Sequence, residues 1–395
     1  MTDSSEDILI WLPSPMGDAI LCTPTLRAIR SHFKSCRITF LAGKVVREVL
    51  SPCPFNDQWL ELDASSPISA AKVLRQGGFS RAILLKNSFG SALSVALAGI
   101  PSRIGYARQG RSLLLTERLM PARLGGGKFK PRPMVDYYLA IASHLGADVS
   151  DRSLSLSIAD DDVAGAREKL PEVLDSSGPA VVLVPGGAFG PSKCWPSSRF
   201  AETADRLAED YGARVVVSVA PSVEEKQIAG EICDAARSEV VNLARRPVTI
   251  GQLKALFSRA ELVITNDTGP RHIATALGRK VVTLFGPNDP AWTDTGYEGE
   301  IQIVGNVSCA PCAKPTCAKP KHFCMEAITT EMVCEAAGQL LEGKRRSAKV
   351  FVEPRLERES ETFFVNPAFK EGLDNLGLDS IDSVFAFESG SGLKK

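Results

Sequence analysis

Short apolar runs, each followed by a turn and then by a longer stretch with helical spacing, recur along most of this 395-residue chain. That alternation constrains the fold more than any other feature, because parallel strands need a crossover connection and βαβ units supply one. In the first half, strands are expected at Ile8–Leu12, Arg37–Leu41 and Arg81–Leu85, with Arg103–Tyr106 as a short strand or turn. Ile20, Leu21, Leu26 and Ile29 fall at helical spacing within Ala19–Phe33, and helices are also expected over Phe89–Ala98 and Pro133–Leu145. The rhythm restarts with strands at Ala180–Val184, Arg214–Val219, Val240–Asn242, Leu262–Thr265 and Lys280–Phe285. Its helices are expected at Ser198–Asp210, Val223–Arg237, Ile250–Arg259, Arg271–Leu277 and Thr330–Glu342. Residues 146–178, with Asp160-Asp161-Asp162, a short helix Val163–Leu170 and Ser176-Ser177-Gly178-Pro179, read as the linker. The expected class is α/β. Two consecutive βαβ domains, 1–165 and 166–345, would face each other across a cleft, with 346–395 as an extra tail or the lead-in to another module.

Charge narrows the partners. The 46 basic and 46 acidic side chains cancel, so no whole-protein field favours nucleic acid. No apolar run approaches the roughly 18 residues of a membrane-spanning helix. The acidic start Met-Thr-Asp-Ser-Ser-Glu-Asp lacks the basic stretch of a secretory signal, which points to the cytoplasm.

Four motifs stand at expected strand-to-helix junctions. In Leu12–Thr23, Gly17 permits close backbone approach and Asp18 stands near a helix N-terminus, as an N-cap or as a carboxylate able to act as general base. In Val184–Pro196, three glycines, Gly187 among them, and Ser192 expose amides after a strand, and Lys193 adds a positive charge. That chemistry suits a phosphate, although the order is not that of a Walker loop. In Ile264–Gly278, Asn266, Asp267 and Thr268 are capping types, Gly269-Pro270 opens a helix, and His272 lies in its first turn. Leu284–Asp289 is a further glycine turn, Phe285-Gly286-Pro287, suited to lining a base or sugar pocket.

Two other features differ in kind. Cys309, Cys312, Cys317 and Cys324 place four thiols in 16 residues, either a structural zinc site or free thiols in a compact loop; the spacing matches no standard zinc module. Residues 101–135 carry eight basic side chains against the single acid Glu117. This is a solvated face, or a surface for an anionic acceptor or membrane, with Arg103, Arg108 and Arg111 as the acceptor-binding candidates.

Met16-Gly17-Asp18 with Thr23-Pro24-Thr25-Leu26-Arg27, then Pro185–Pro196, then Asn266–Gly278 with Phe285-Gly286-Pro287, resembles the bacterial lipopolysaccharide heptosyltransferases of glycosyltransferase family 9. The likeness runs over about residues 7–342, and the cysteine loop resembles the heptosyltransferase II branch. It implies a GT-B fold, two Rossmann-like domains around a central cleft, with acceptor on the N-terminal and donor on the C-terminal domain. It also implies inverting, metal-independent transfer from ADP-L-glycero-β-D-manno-heptose to the lipopolysaccharide inner core, by an enzyme peripheral at the cytoplasmic face of the inner membrane. No cofactor is required. Residue by residue, Asp18 matches the general base. Lys193 matches a donor-phosphate and catalytic position, and Ser192, Asp267, Thr268 and Gly269 match donor-phosphate positions. His272 matches a donor-binding position in the same turn. Cys194 replaces the arginine common in Lys-x-Trp-Pro, and Pro221-Ser222 replaces a glycine pair ahead of Glu224 and Glu225, the candidates for ribose contact.

Overall fold

The computed structural model describes residues 6–62, 66–344 and 348–352. The chain opens with β1 (Asp7–Trp11), whose centre is fully buried. α1 (Met16–Leu21) and α2 (Thr23–His32) follow where one helix is expected. The break falls at Cys22 because Pro24, in the first turn of α2, has no N–H to continue the ladder. Next come β2 (Arg37–Leu41), α3 (Lys44–Leu50), β3 (Gln58–Leu60), α4 (Pro67–Gln76), β4 (Arg81–Leu84) and α5 (Phe89–Leu97). β5 (Ser102–Tyr106), β6 (Glu117–Leu119) and α6 (Met134–His144) complete the first half. Its sheet is parallel throughout, in the order β3-β2-β1-β4-β5-β6.

α7 (Asp160–Lys169) and α8 (Pro171–Leu174) lead into the second sheet. Its elements are β7 (Ala180–Val184), α9 (Ser197–Tyr211), β8 (Arg214–Val217), α10 (Val223–Ala235), β9 (Val240–Asn242), α11 (Ile250–Arg259), β10 (Leu262–Asn266), α12 (Gly269–Ala276) and β11 (Lys280–Phe285). β12 (Glu300–Gly305), α13 (Phe323–Glu326), α14 (Thr330–Leu341) and β13 (Ala348–Val352) close it. The order is β13-β12-β11-β10-β7-β8-β9, again all parallel. In both sheets the first strand runs outward through two neighbours before the chain returns to its other side, which is the Rossmann order. The α/β architecture is the two-domain GT-B arrangement.

β7, β10 and β12 are buried along their whole length. β12 escapes the sequence pattern because Glu300 and Gln302 alternate with its apolar residues, yet both are buried. β13 corrects another expectation. Within the stretch 346–395, expected as an extra tail or lead-in, Ala348–Val352 form an edge strand paired along β12; residues 346, 347 and 353–395 lie outside the described residues. Among the described residues no helix is long and apolar enough to cross a membrane.

The halves meet through α1 against α12 and α3 against α11, and one apolar cluster runs from Ile20 and Val46 to Leu256 and Ile273. Within that seam the Lys254 side chain of α11 is buried. Its ammonium donates to the carbonyl of Ser51, just beyond α3, and to that of Ser157 at 2.9 Å. Burial lowers its pKa, because the charged form has lost water. Lys254→Met is expected to lower stability by about 2 kcal/mol, since two carbonyls lose a charged donor. The measurement is a urea melt, with a lower midpoint and an unchanged slope.

Candidate active site

The glycine loop after β7 is compact for steric reasons. A Cβ on Gly187 would stand 3.4 Å from Thr268 Oγ1, and one on Gly186 would collide with the Glu225 carboxylate. Gly190 has φ 140°, and a Cβ there would lie 2.5 Å from the Pro315 carbonyl oxygen. Only glycine takes this backbone with that neighbour. A single 3-10 turn, Pro191–Lys193, then carries Lys193 inward. Its Nζ donates to the Asp267 carbonyl at 2.5 Å and to Asp267 Oδ2 at 3.1 Å, and lies 4.8 Å over the Phe189 ring.

Asp267 sits between β10 and α12 and organises a buried charge network. Oδ1 accepts from Arg271 Nη1 at 3.1 Å and Thr293 Oγ1 at 3.1 Å; Oδ2 also accepts from Asn288 Nδ2 at 3.2 Å. Arg271 then grips Glu300 through both Nε (2.6 Å) and Nη2 (2.9 Å), and Thr283 and Gln302 donate to the same carboxylate. Burial alone would raise the Asp267 pKa, but Lys193 and Arg271 hold it well below the ordinary carboxylate range. Glu300 is likewise lowered against burial by Arg271. The two cations and two anions cancel. Sequence reasoning passed over Arg271, Glu300, Asn288 and Thr293. The i,i+4 spacing of Asp267 and Arg271 was the available signal for the first of them.

Asp18 approaches from the other half. It is the third residue of α1 and makes no capping bond, so the N-cap reading does not hold. Burial, and after it the charge of Asp267, raises its pKa from 3.8 to about 6. The approach of α1 to α12 depends on glycines: a Cβ on Gly17 would stand 3.1 Å from His272 Cδ2, and one on Gly269 would press on Met16. His272 is buried, and its Nδ1 has no hydrogen-bond partner among the described residues. Burial and then Arg271 depress its pKa to about 3, so the ring is neutral near pH 7 and cannot serve there as a proton source. Thr268 is the N-cap of α12 without a side-chain cap bond, and the first amides of the helix have no intrahelical partner.

Other sequence candidates are placed elsewhere or otherwise engaged. Ser192 donates its amide to Pro315 O (3.1 Å) and its hydroxyl to Lys314 O (2.6 Å), so both donors are taken by the cysteine loop. Glu225 is beside the glycine loop, accepting from the Ala220 amide at 2.7 Å, whereas Glu224 is exposed. The acceptor-binding expectation for Arg111 is corrected. It is fully buried, donating to the carbonyls of Tyr106 (2.8 Å) and Lys86 (2.6 Å) and to Asn87 Oδ1 (2.9 Å). Burial lowers its pKa to about 10. Arg103 is similarly spent on the carbonyls of Leu114 and Ile100. Arg108 stacks 4.2 Å over Phe129 and remains partly exposed.

The cysteine loop brings its thiols near one another without closing them into a ligand set among the described residues. Cys309 and Cys312 are exposed, Cys317 is half-buried, and Cys324 is drawn beneath Gly286 into the second core. Burial and then Cys309 push the Cys324 thiol up to about 11. Among the described residues no three His, Cys, Asp or Glu side chains are grouped to hold a metal ion. The loop instead packs its backbone onto Gly190 and Ser192.

With this geometry in view, the comparisons are specific. The family model for glycosyltransferase family 9 (heptosyltransferase) matches residues 68–322. The chain belongs to glycosyltransferase family 9. Lipopolysaccharide heptosyltransferase 2 of Escherichia coli (strain K12) is 29% identical over 305 residues, 72% of this chain and 84% of that protein. Lipooligosaccharide heptosyltransferase 2 of Campylobacter jejuni (serotype O:6) is 25% identical over 340 residues, 84% of this chain and 98% of the relative. The solved structure of E. coli ADP-heptose lps heptosyltransferase II is similar at TM-score 0.70 and 26% identity, covering 86% of this chain and 99% of that one. This family 9 protein is therefore a glycosyltransferase, and its buried network lies within the matched region. Arg271→Met should destabilise it by about 3–5 kcal/mol, because Asp267 and Glu300 lose their shared cation without water to replace it. Chemical denaturation reads that loss.

Proposed function

We propose that this chain transfers heptose from ADP-L-glycero-β-D-manno-heptose to the lipopolysaccharide inner core, inverting the anomeric centre without a catalytic metal. The observation that carries the reading is the placement of Asp18, with its pKa raised to about 6, across the α1–α12 contact from Lys193 and Asp267. The names of the similar proteins supply the substrate class. In this reading residues 1–165 hold the acceptor and 166–345 the donor.

The chemistry follows from the residues. Asp18 takes the proton of the acceptor hydroxyl as its oxygen bonds to the anomeric carbon. The bond from that carbon to the diphosphate oxygen breaks on the opposite face, and its electron pair leaves on ADP. ADP departs as a stable anion and needs charge stabilisation rather than a proton. Lys193, the amides around Gly187 and the α12 N-terminus at Thr268 and Gly269 supply it. His272 and Asp267 shape this donor site, and Glu225 beside the glycine loop is the ribose candidate. The exposed Arg118, Arg123, Lys128, Lys130 and Arg132 suit an anionic acceptor at the cytoplasmic membrane face.

Calorimetry with ADP-heptose, ADP-glucose, ADP, UDP and UDP-GlcNAc, each with and without Mg²⁺, tests the donor. Metal-independent preference for ADP-heptose is expected; preference for a uridine nucleotide would keep the fold and end the heptosyl reading. Asp18→Asn should lower turnover by about 10²-fold or more while keeping donor affinity. Because the base acts only when ionised, kcat/KM should fall about tenfold per pH unit below its pKa and level off above it. A profile flat down to about pH 5 would remove Asp18 from that role.

A further inference from the structure

The edge strand β13 makes a contact with the buried charge network that the reading above leaves unused. β13 lies beyond the family-matched region and runs parallel to β12, with Gln302 opposite Lys349 and Ile303 opposite Val350. Side chains alternate across a strand, so the two strands share their faces. Val350 and Val352 turn toward the side of Ile301 and Ile303 and join the same apolar cluster. Lys349 turns to the opposite side, where β12 presents the buried Glu300 and Gln302. Asn306 then donates its amide to Val352 O at 2.7 Å, which holds the end of β13 in register.

On that polar side Lys349 Nζ donates to Asp294 Oδ2 at 2.9 Å. Asp294 Oδ1 accepts from the Gly296 amide at 3.0 Å and from Gln302 Nε2 at 3.4 Å. The same Gln302 nitrogen donates to Glu300 Oε2 at 3.0 Å. The residue before Asp294 is Thr293, whose hydroxyl accepts from Arg271 Nη1 at 2.8 Å and donates to Asp267 Oδ1 at 3.1 Å. Burial would raise the Asp294 pKa, but the hydrogen bond from Lys349 carries it below its ordinary value, so the carboxylate is ionised near pH 7. The network thus extends to three cations, Lys193, Arg271 and Lys349, against three anions, Asp267, Glu300 and Asp294. Without the Lys349 charge, one anion is left in excess within the field of Arg271. A diphosphate arriving at Lys193 would be repelled by that excess.

We infer that Lys349 is a positioning residue for the donor diphosphate: it neutralises Asp294 and so keeps the network beneath Lys193 and the α12 N-terminus from carrying net negative charge. Lys349 touches no substrate and acts through Asp294. The inference rests on the reading of Lys193, Asp267 and α12 as the diphosphate site, and it is indifferent to which sugar is transferred.

Full-length protein is titrated calorimetrically with ADP and with UDP, at about 0.05 M and about 0.5 M salt. Lys349→Met should bind ADP about fivefold more weakly at the lower salt, with a smaller loss at the higher, because the Asp294 charge is partly screened. Lys349→Arg should bind as the wild type does. Asp294→Asn alone leaves a cation in excess and should bind ADP more tightly. The double variant, Lys349→Met with Asp294→Asn, is neutral again and should recover wild-type affinity. A Lys349 that only fastens β13 to the sheet would not be rescued by that second change. Wild-type ADP affinity in Lys349→Met, or a double variant no tighter than Lys349→Met, would overturn the inference. Preference for UDP over ADP, with the same loss and recovery, would end the heptosyl reading and leave Lys349 in its role. Preference for ADP with no effect of Lys349→Met would do the reverse, and a wild type that binds neither nucleotide would end both.

Discussion

The structure depends on the buried chain of charges from Lys193 through Asp267 and Arg271 to Glu300. Each of these ions would be unfavourable alone in a water-poor interior, and each is held by the next. The network joins the glycine loop after β7, the start of α12 and the buried strand β12. A shift in any one of these elements would leave a charge without its partner. This side of the cleft is thereby fixed before any ligand arrives, which is the property electrostatic catalysis requires. Its neutrality has a second effect. With much of the cationic charge cancelled, a diphosphate in the proposed site would be held by the amides of the loop and of α12, whose positions the network sets, together with Lys193.

The other half contributes through contact rather than charge pairing. Gly17 and Gly269 let α1 and α12 approach until backbone and ring edge touch. This closeness brings Asp18 within the field of Asp267 and removes it from water, and both effects raise its pKa. Away from the cleft, Lys254 ties α11 to the carbonyls of Ser51 and Ser157, so the halves are joined at two places by different interactions. Small residues permit one junction. A buried cation that donates to two backbone carbonyls sustains the other.

The sequence made the architecture legible wherever burial and hydrophobicity coincide. Ala180–Val184, Leu262–Asn266 and Lys280–Phe285 are apolar runs that can only be inner strands of a parallel sheet, and they are. The glycine turns were legible too, since Gly-Gly-x-x-Gly and Asp-Thr-Gly-Pro announce turns whatever their tertiary neighbours. What stayed hidden is polarity turned inward. Glu300 and Gln302 disguise a buried strand because their partners, Arg271 and Asp294, come from elsewhere in the chain. Arg111 was grouped with solvated arginines because composition carries no trace of the carbonyls of Tyr106 and Lys86. Ser192 offered donors that suit a phosphate, but a loop more than a hundred residues later takes them. Local sequence specifies which groups a residue offers. Only the folded chain specifies which of them remain free.

That distinction bears on how the cleft would work as a transferase. Asp18 is a stronger base than a solvated aspartate because a neighbouring anion and burial disfavour its charge. On the reading proposed above, a diphosphate donor would bring further negative charge into the same cleft, and by the same Coulombic argument it would raise the Asp18 pKa again. On that reading Asp18 would hold a proton more tightly with a donor in place than without one. His272, buried and neutral beside Gly17, offers no competing acid at neutral pH. On the proposed mechanism, proton abstraction would be coupled to donor occupancy through the field, provided that the α1–α12 contact keeps the two carboxylates close.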